Sequence, residues 1–227
     1  MFMRLNREEI ILNSNIGMKI IAYFTSNMDT YLVCVKEHIW ISLLALAVAI
    51  VIGVPCGYAC VKHKKYEKLI VSIFQILRIV PSLAILILLI PIMGTGIKPA
   101  MAALVLLAVP PILMNTVTGL EQVPDFMLET ACAIGMTERQ MLLKVKIPLA
   151  MPMILTGIKT AMIEIIASAT LAAKIGAGGL GGIIFTGLGL NRMDLLLVGG
   201  ISVAVLSIAA GLLLDLMERP LFKYIKR

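Results

Sequence analysis

Few residues in this chain have the type and spacing for chemistry, and most lie within or beside long apolar runs. Arg78, Lys159 and Glu164 are ionisable groups inside such runs. Each costs about 2.5 to 3.5 kcal/mol at the centre of a membrane helix, so each is expected to face a cavity or a partner. Lys159 and Glu164 are separated by about 140° around a helix and are not expected to pair. Glu164, near the middle of its run, is a candidate to line a solute route, where a carboxylate favours a cationic or zwitterionic solute. Arg78 lies a turn inside its run and either joins that route or snorkels to the surface. Gly176-x-Gly178-x-x-Gly181 matches the dinucleotide fingerprint formally, but a genuine one follows a strand and opens a helix in a β-α-β unit. Between two apolar runs it reads as a turn that lets helices pack closely. Cys34, Cys56, Cys60 and Cys132 are scattered without a C-x-x-C pair and read as small hydrophobes. His38 and His63 flank the first run and read as interfacial residues. With no Ser-His, H-E-x-x-H or Asp-rich constellation in the runs, no catalytic residue, metal site or cofactor is assigned.

The longest polar interruption is an island, Glu129-Thr-Ala131-Cys-Ala-Ile-Gly135-Met-Thr-Glu-Arg-Gln-Met-Leu-Leu-Lys-Val145-Lys-Ile147-Pro148. Residues 121 to 148 are too many for a simple hairpin and should carry their own structure. Asp125 is placed to cap a helix through about Ile134, and Gly135 to end it where a left-handed residue is needed. Thr137-Glu-Arg-Gln140 reads as a capping box opening a second helix, which Pro148 should stop at the membrane surface. The product is a helix-turn-helix elbow. Small Ala131 would let a partner surface come close, and Glu129 offers a carboxylate to a basic residue.

The elements that must hold these groups are membrane helices. Hydrophobic residues make up 60% of 227 and charged residues 15%, with a mean hydropathy of +1.01, a balance that excludes an ordinary soluble domain. The apolar runs have the length of a helix crossing about 30 Å of hydrocarbon, and they lack the alternation of a membrane barrel. Five spans are predicted, at about 38–61, 70–94, 97–119, 149–173 and 195–217. Pro55, Pro81, Pro91 and Pro110-Pro111 should kink them. Lys62, Lys64, Lys65 and Lys68, the island's Arg139, Lys144 and Lys146, and the tail at 219–227 gather on one side. That side is therefore cytoplasmic, with the amino end outside and the carboxyl end inside. The net charge of +7 is thereby explained without nucleic acid. Residues 1–37 show no cleavable signal peptide and read as an extracytoplasmic or interfacial segment, with a short amphipathic helix or a loosely ordered lead-in at 16–35. The remainder, 38–218, reads as one transmembrane domain.

The island resembles the coupling loop of ABC-importer permeases, whose pattern runs E-A-A, three residues, G, nine residues, I-x-L-P. Here Thr130, Val145 and Ile147 replace the first Ala, the Ile and the Leu, while Glu129, Ala131, Gly135 and Pro148 match. The flanking stretches Arg78-Ile-Val-Pro81-Ser82-Leu-Ala84, Asn115-Thr-Val-Thr118-Gly119 and Ala169 to Gly181 are similar to permeases of osmoprotectant importers, which carry glycine betaine, choline, carnitine or related betaines. The likeness covers nearly all of 38–218. Met114 departs from it, standing where the family often has a basic residue, as does the acidic Glu164.

The resemblance implies an all-α polytopic fold, the five-helix type I ABC importer permease (MetI-like) bundle with a cytoplasmic coupling helix-turn-helix, in a bacterial cytoplasmic membrane. It implies that Glu129, Ala131, Gly135, Val145, Ile147 and Pro148 couple to a separate ATP-binding subunit present in two copies. Arg78, Pro81, Ser82, Asn115, Thr118, Glu164, Gly176, Gly178 and Gly179 would line or gate the path. It also implies a second permease, identical or a paralogue, and an extracytoplasmic substrate-binding protein. The chain has no P-loop motif, so hydrolysis would belong to the partner. With one tryptophan, Trp40, an aromatic cage for a quaternary amine would belong to the binding protein. The alternative is a secondary, ion-coupled transporter with Arg78 and Glu164 as coupling residues.

Overall fold

The structure, a computed structural model, describes residues 2–222, with side chains from 16 to 218. Among these residues the chain is helical with no strand: α1 (Phe2–Lys62), α2 (Lys64–Ile79), α3 (Ser82–Met93), α4 (Ile97–Glu121), α5 (Asp125–Ala133), α6 (Glu138–Met141), α7 (Ile147–Ala172), α8 (Leu180–Gly189) and α9 (Met193–Phe222). Residues 223–227 of the basic tail lie outside the described part.

Four helical stretches are long and apolar enough to cross a bilayer: Ile16–Lys62, Ile97–Glu121, Glu138–Ile175 and Met193–Glu218. A fifth crossing is available from α2 and α3 taken together, bent by 96°. The second span, expected as one kinked helix over 70–94, is thus two helices. Pro81 has no N–H to give and drives the residue before it out of the helical region; Val80 (ψ 125°) and Pro81 (ψ 133°) are both extended. Pro91 is accommodated inside α3.

The core lies where α4 is gripped between α1 and α7, around Leu86, Leu104, Ile112, Ile165 and Ile166. Small residues let these helices approach, as membrane packing favours. A Cβ on Gly157 of α7 would lie 2.8 Å from both the Asn115 Cβ and the Pro111 carbonyl oxygen of α4.

Residues 16–35, expected as a short amphipathic helix or a loosely ordered lead-in, are helical, and α1 is two helices joined across a kink at Asn27 (φ −131°, ψ 24°), the second running on through the first span. The reason is tertiary: Ile20, Tyr23, Phe24, Tyr31 and Val35 pack on Leu180, Ile183, Leu195 and Val198 of α8 and α9. The Tyr31 hydroxyl also hydrogen-bonds the Ser202 hydroxyl at 2.8 Å. The segment thus has a surface of its own chain to bury against.

Candidate functional site

The elbow is built from local chemistry. Pro124 rather than Asp125 occupies the N-cap of α5, with no side-chain cap; Asp125 is the first helical residue, its charge still favourably placed against the helix dipole. At the other end Gly135 has φ +79°, and two bonds close the turn, from Met136 N–H to the Ala131 carbonyl (3.0 Å) and from Gly135 N–H to the Cys132 carbonyl (2.9 Å). This is a Schellman cap, whose left-handed residue glycine adopts freely. The capping box predicted at Thr137 is present: Gln140 N–H donates to the Thr137 hydroxyl oxygen (3.3 Å) and Thr137 N–H to the Gln140 side-chain oxygen (2.9 Å).

Pro148 does not stop the second helix. Leu142–Lys146 widens into a π-helical turn, with Ile147 N–H bonding the Leu142 carbonyl, and α7 follows directly. A proline clashes with the carbonyl four residues earlier and lacks a donor for it; the wider turn just before Pro148 absorbs both defects. Glu138–Ile175 is therefore a single helical stretch of 38 residues.

Ala131 is only 3% exposed, packed within the elbow itself. Glu129, Gly135 and Pro148 are exposed, while Val145 and Ile147 are half-buried. Two side chains that sequence reasoning passed over, Phe126 (63% exposed) and Ile134 (67%), stand out on the elbow as apolar anchors. Their signal was a large apolar residue in the first turn of a short helix that carries Asp125, Glu129 and Thr130, and another at its C-cap.

Within the membrane, Glu164 is half-buried, and its Oε2 is buried without a hydrogen-bond partner. Arg78 is exposed in the last turn of α2. Ser72 and Gln75 are exposed beside Arg78 at intervals of three, which places all three along one side of α2. Lys159 does not pair with Glu164; it forms an ion pair with Asp215 of α9, a partner not foreseen. The Asn115 amide is committed to its own helix, donating to the Pro111 carbonyl at 2.8 Å. Thr118 and Pro81 are exposed and Ser82 half-buried.

At the far end, Gly176, Gly178 and Gly179 have φ of +88°, +79° and +80°, which only glycine adopts without strain. Gly96 N–H bonds the Ile175 carbonyl at 2.7 Å, tying this glycine turn to the start of α4. Gly179 N–H donates to Glu37 Oε2 at 3.0 Å. His38, expected at an interface, is 1% exposed, and its Nε2 lies 3.1 Å from the Ile166 carbonyl oxygen. That oxygen only accepts, so Nε2 carries the proton. The elbow residues and the glycine turn therefore lie at opposite ends of one helical stretch, with Glu164 along it.

The pattern of the family described as "Binding-protein-dependent transport system inner membrane component" matches residues 49–223. The carnitine transport permease protein OpuCB of Listeria monocytogenes is 39% identical over 199 residues, 88% of this chain and 91% of that protein. The choline transport system permease protein OpuBB of Bacillus subtilis is 40% identical over 202 residues, covering 89% and 93%. Among solved structures, a chain of the MetNI methionine ABC transporter, determined in inward facing conformations, superimposes with a TM-score of 0.77 at 23% identity, covering 86% of this chain and 98% of that one. A second, from an amino acid ABC transporter, gives 0.73 at 18% identity. With its bundle of apolar helices and its elbow, the chain belongs to the family of binding-protein-dependent transport system inner membrane components and has the fold of a type I ABC-importer permease.

Proposed function

We propose that this chain is the membrane-spanning permease subunit of an ATP-driven importer of quaternary ammonium osmoprotectants such as choline, carnitine or glycine betaine. One observation carries the reading: the capped elbow continues without a break, as the Glu138–Ile175 helix, to the glycine turn at the other end of the bundle. At 1.5 Å per residue this is a lever about 57 Å long. The substrate class rests on relatives whose names specify carnitine or choline.

The elbow faces the cytoplasm, where lysines and arginines collect, and the glycine turn faces outside. A separate ATP-binding subunit docks on Glu129 and the exposed Phe126 and Ile134, and it supplies all hydrolysis. Two such subunits and two permeases, identical or paralogous, enclose the path. A solute-loaded binding protein favours the state in which the ATPases and elbows close and the outer end opens; hydrolysis resets it. Ser72, Gln75, Arg78 and Glu164 supply polar groups along the route.

Purification from membranes in mild detergent should recover an ATP-binding chain with the permease, and proteoliposomes holding ATP should take up labelled carnitine or choline when loaded binding protein is added outside. Glu129→Ala should lower stimulated uptake at least tenfold with the permease still inserted. Uptake that survives ATP removal but collapses with the ion gradient would establish the secondary-transporter alternative.

A further inference from the structure

We propose that Glu37 is the positioning residue of the outer gate: its carboxylate caps α8 from another helix and holds the glycine turn against α1. The proposal rests on the permease reading above. Glu37 Oε2 accepts the Gly179 N–H at 3.0 Å, a bond across 142 positions of sequence. One residue on, His38 hydrogen-bonds the Ile166 carbonyl of α7. α1 is thus bonded to the turn at Gly179 and to the body of α7 at Ile166.

The fit leaves no room for side chains. A Cβ on Gly178 would lie 2.6 Å from Glu37 Oε2, and one on Gly179 would lie 3.1 Å from His38 Nδ1. Both glycines also have positive φ. The carboxylate sits at the start of a ten-residue helix, α8, where the unpaired N–H groups and the dipole favour a negative charge. No other side chain caps α8. A single exposed carboxylate therefore fixes where the helix begins.

Position in the molecule gives this bond its consequence. The turn it holds is the outer terminus of the Glu138–Ile175 helix, whose inner terminus is the elbow. A contact made in one of two global states shifts the balance between them by its own free energy, and every site linked to those states feels that shift. In the conformation described, the Glu37 bond packs the glycine turn against α1; a state in which the turn moves away lacks it. Losing it moves the population toward the state with the outer end open and the ATPases closed. The signature is hydrolysis that no longer waits for the loaded binding protein.

The test uses the complete permease–ATPase complex in proteoliposomes with ATPase activity read with and without binding protein. Glu37→Ala should raise the unstimulated rate on the order of fivefold and shrink the stimulation ratio, with the melting temperature of the complex unchanged. Glu37→Gln keeps an acceptor oxygen and should restore much of the wild-type ratio. Gly178→Ala pushes the carboxylate away from the opposite side and should reproduce the alanine phenotype. Wild-type basal rate and stimulation in Glu37→Ala, or, if that variant does not assemble, in both Glu37→Gln and Gly178→Ala, overturns the proposal. A wild-type chain that recruits no ATP-binding subunit overturns the permease reading instead.

Discussion

Lys159 and Asp215 neutralise each other between α7 and α9, whereas Glu164 keeps one carboxylate oxygen buried with no partner. The first arrangement explains why a lysine can lie in an apolar helix: its charge is matched by a neighbouring span, and its long stem can reach toward water. The second arrangement is costly in a membrane, and nothing in the packing repays it. Such a group is the candidate proposed here to meet a solute or a moving part. Glu164→Gln preserves the shape of the side chain and removes only the charge. It should leave assembly intact and raise KM for cationic choline about tenfold, equivalent to about 1.4 kcal/mol, with a smaller change for zwitterionic glycine betaine. Competition uptake in proteoliposomes measures this, and an unaltered preference between the two solutes removes Glu164 from the route.

The elbow was legible at the level of elements because its determinants are local. Gly135 and the Thr137–Gln140 box lie within a few residues of the bonds they make, and capping chemistry has no long-range term. Proline was less readable. Pro81 breaks the second span by 96°, while Pro148, equally helix-breaking by rule, is passed over by a π turn; which outcome occurs depends on the surrounding packing. The packing of the first part of α1 was not readable at all, since the segment around Tyr23 and Tyr31 is held by residues of α8 and α9 far along the chain. The same is true of Glu37 and His38, whose partners are Gly179 and Ile166. The capping argument yields its own prediction. Gly135→Ala forces a Cβ into a left-handed conformation at a cost of about 1 to 2 kcal/mol, with nothing within 4 Å for that Cβ to strike. Insertion and bundle stability should therefore persist. Loosening of the turn should lower the uptake per ATP hydrolysed severalfold, read by measuring both rates on the same proteoliposomes. Unchanged coupling would mean that the elbow transmits force without needing this cap.

The whole molecule leaves one crossing unsatisfied. No residue of α2 is buried, and its surface is of two kinds, with Ile73, Ile76 and Ile79 exposed next to the exposed Ser72, Gln75 and Arg78. Lipid tails can cover the isoleucines at no cost, but they offer nothing to a glutamine amide or a guanidinium. The polar side of α2 therefore faces water or another protein, and a bundle of this size encloses no route of its own beside its core. A second permease set against α2, with the stripe lining the water-filled seam, satisfies both kinds of surface at once. On the proposed two-permease reading this chain, with its four long helices and one bent pair, would be half of the structure. In a background freed of Cys34, Cys56, Cys60 and Cys132, Gln75→Cys should react with a membrane-impermeant, water-soluble maleimide and should cross-link the chain to a second permease. Leu212→Cys, exposed on α9 among apolar neighbours, should do neither. Cross-linking of the chain to itself identifies a homodimer, and cross-linking to a different permease a heterodimer. Labelling of Leu212→Cys with Gln75→Cys silent would place the seam along α9 and remove Arg78 from the path.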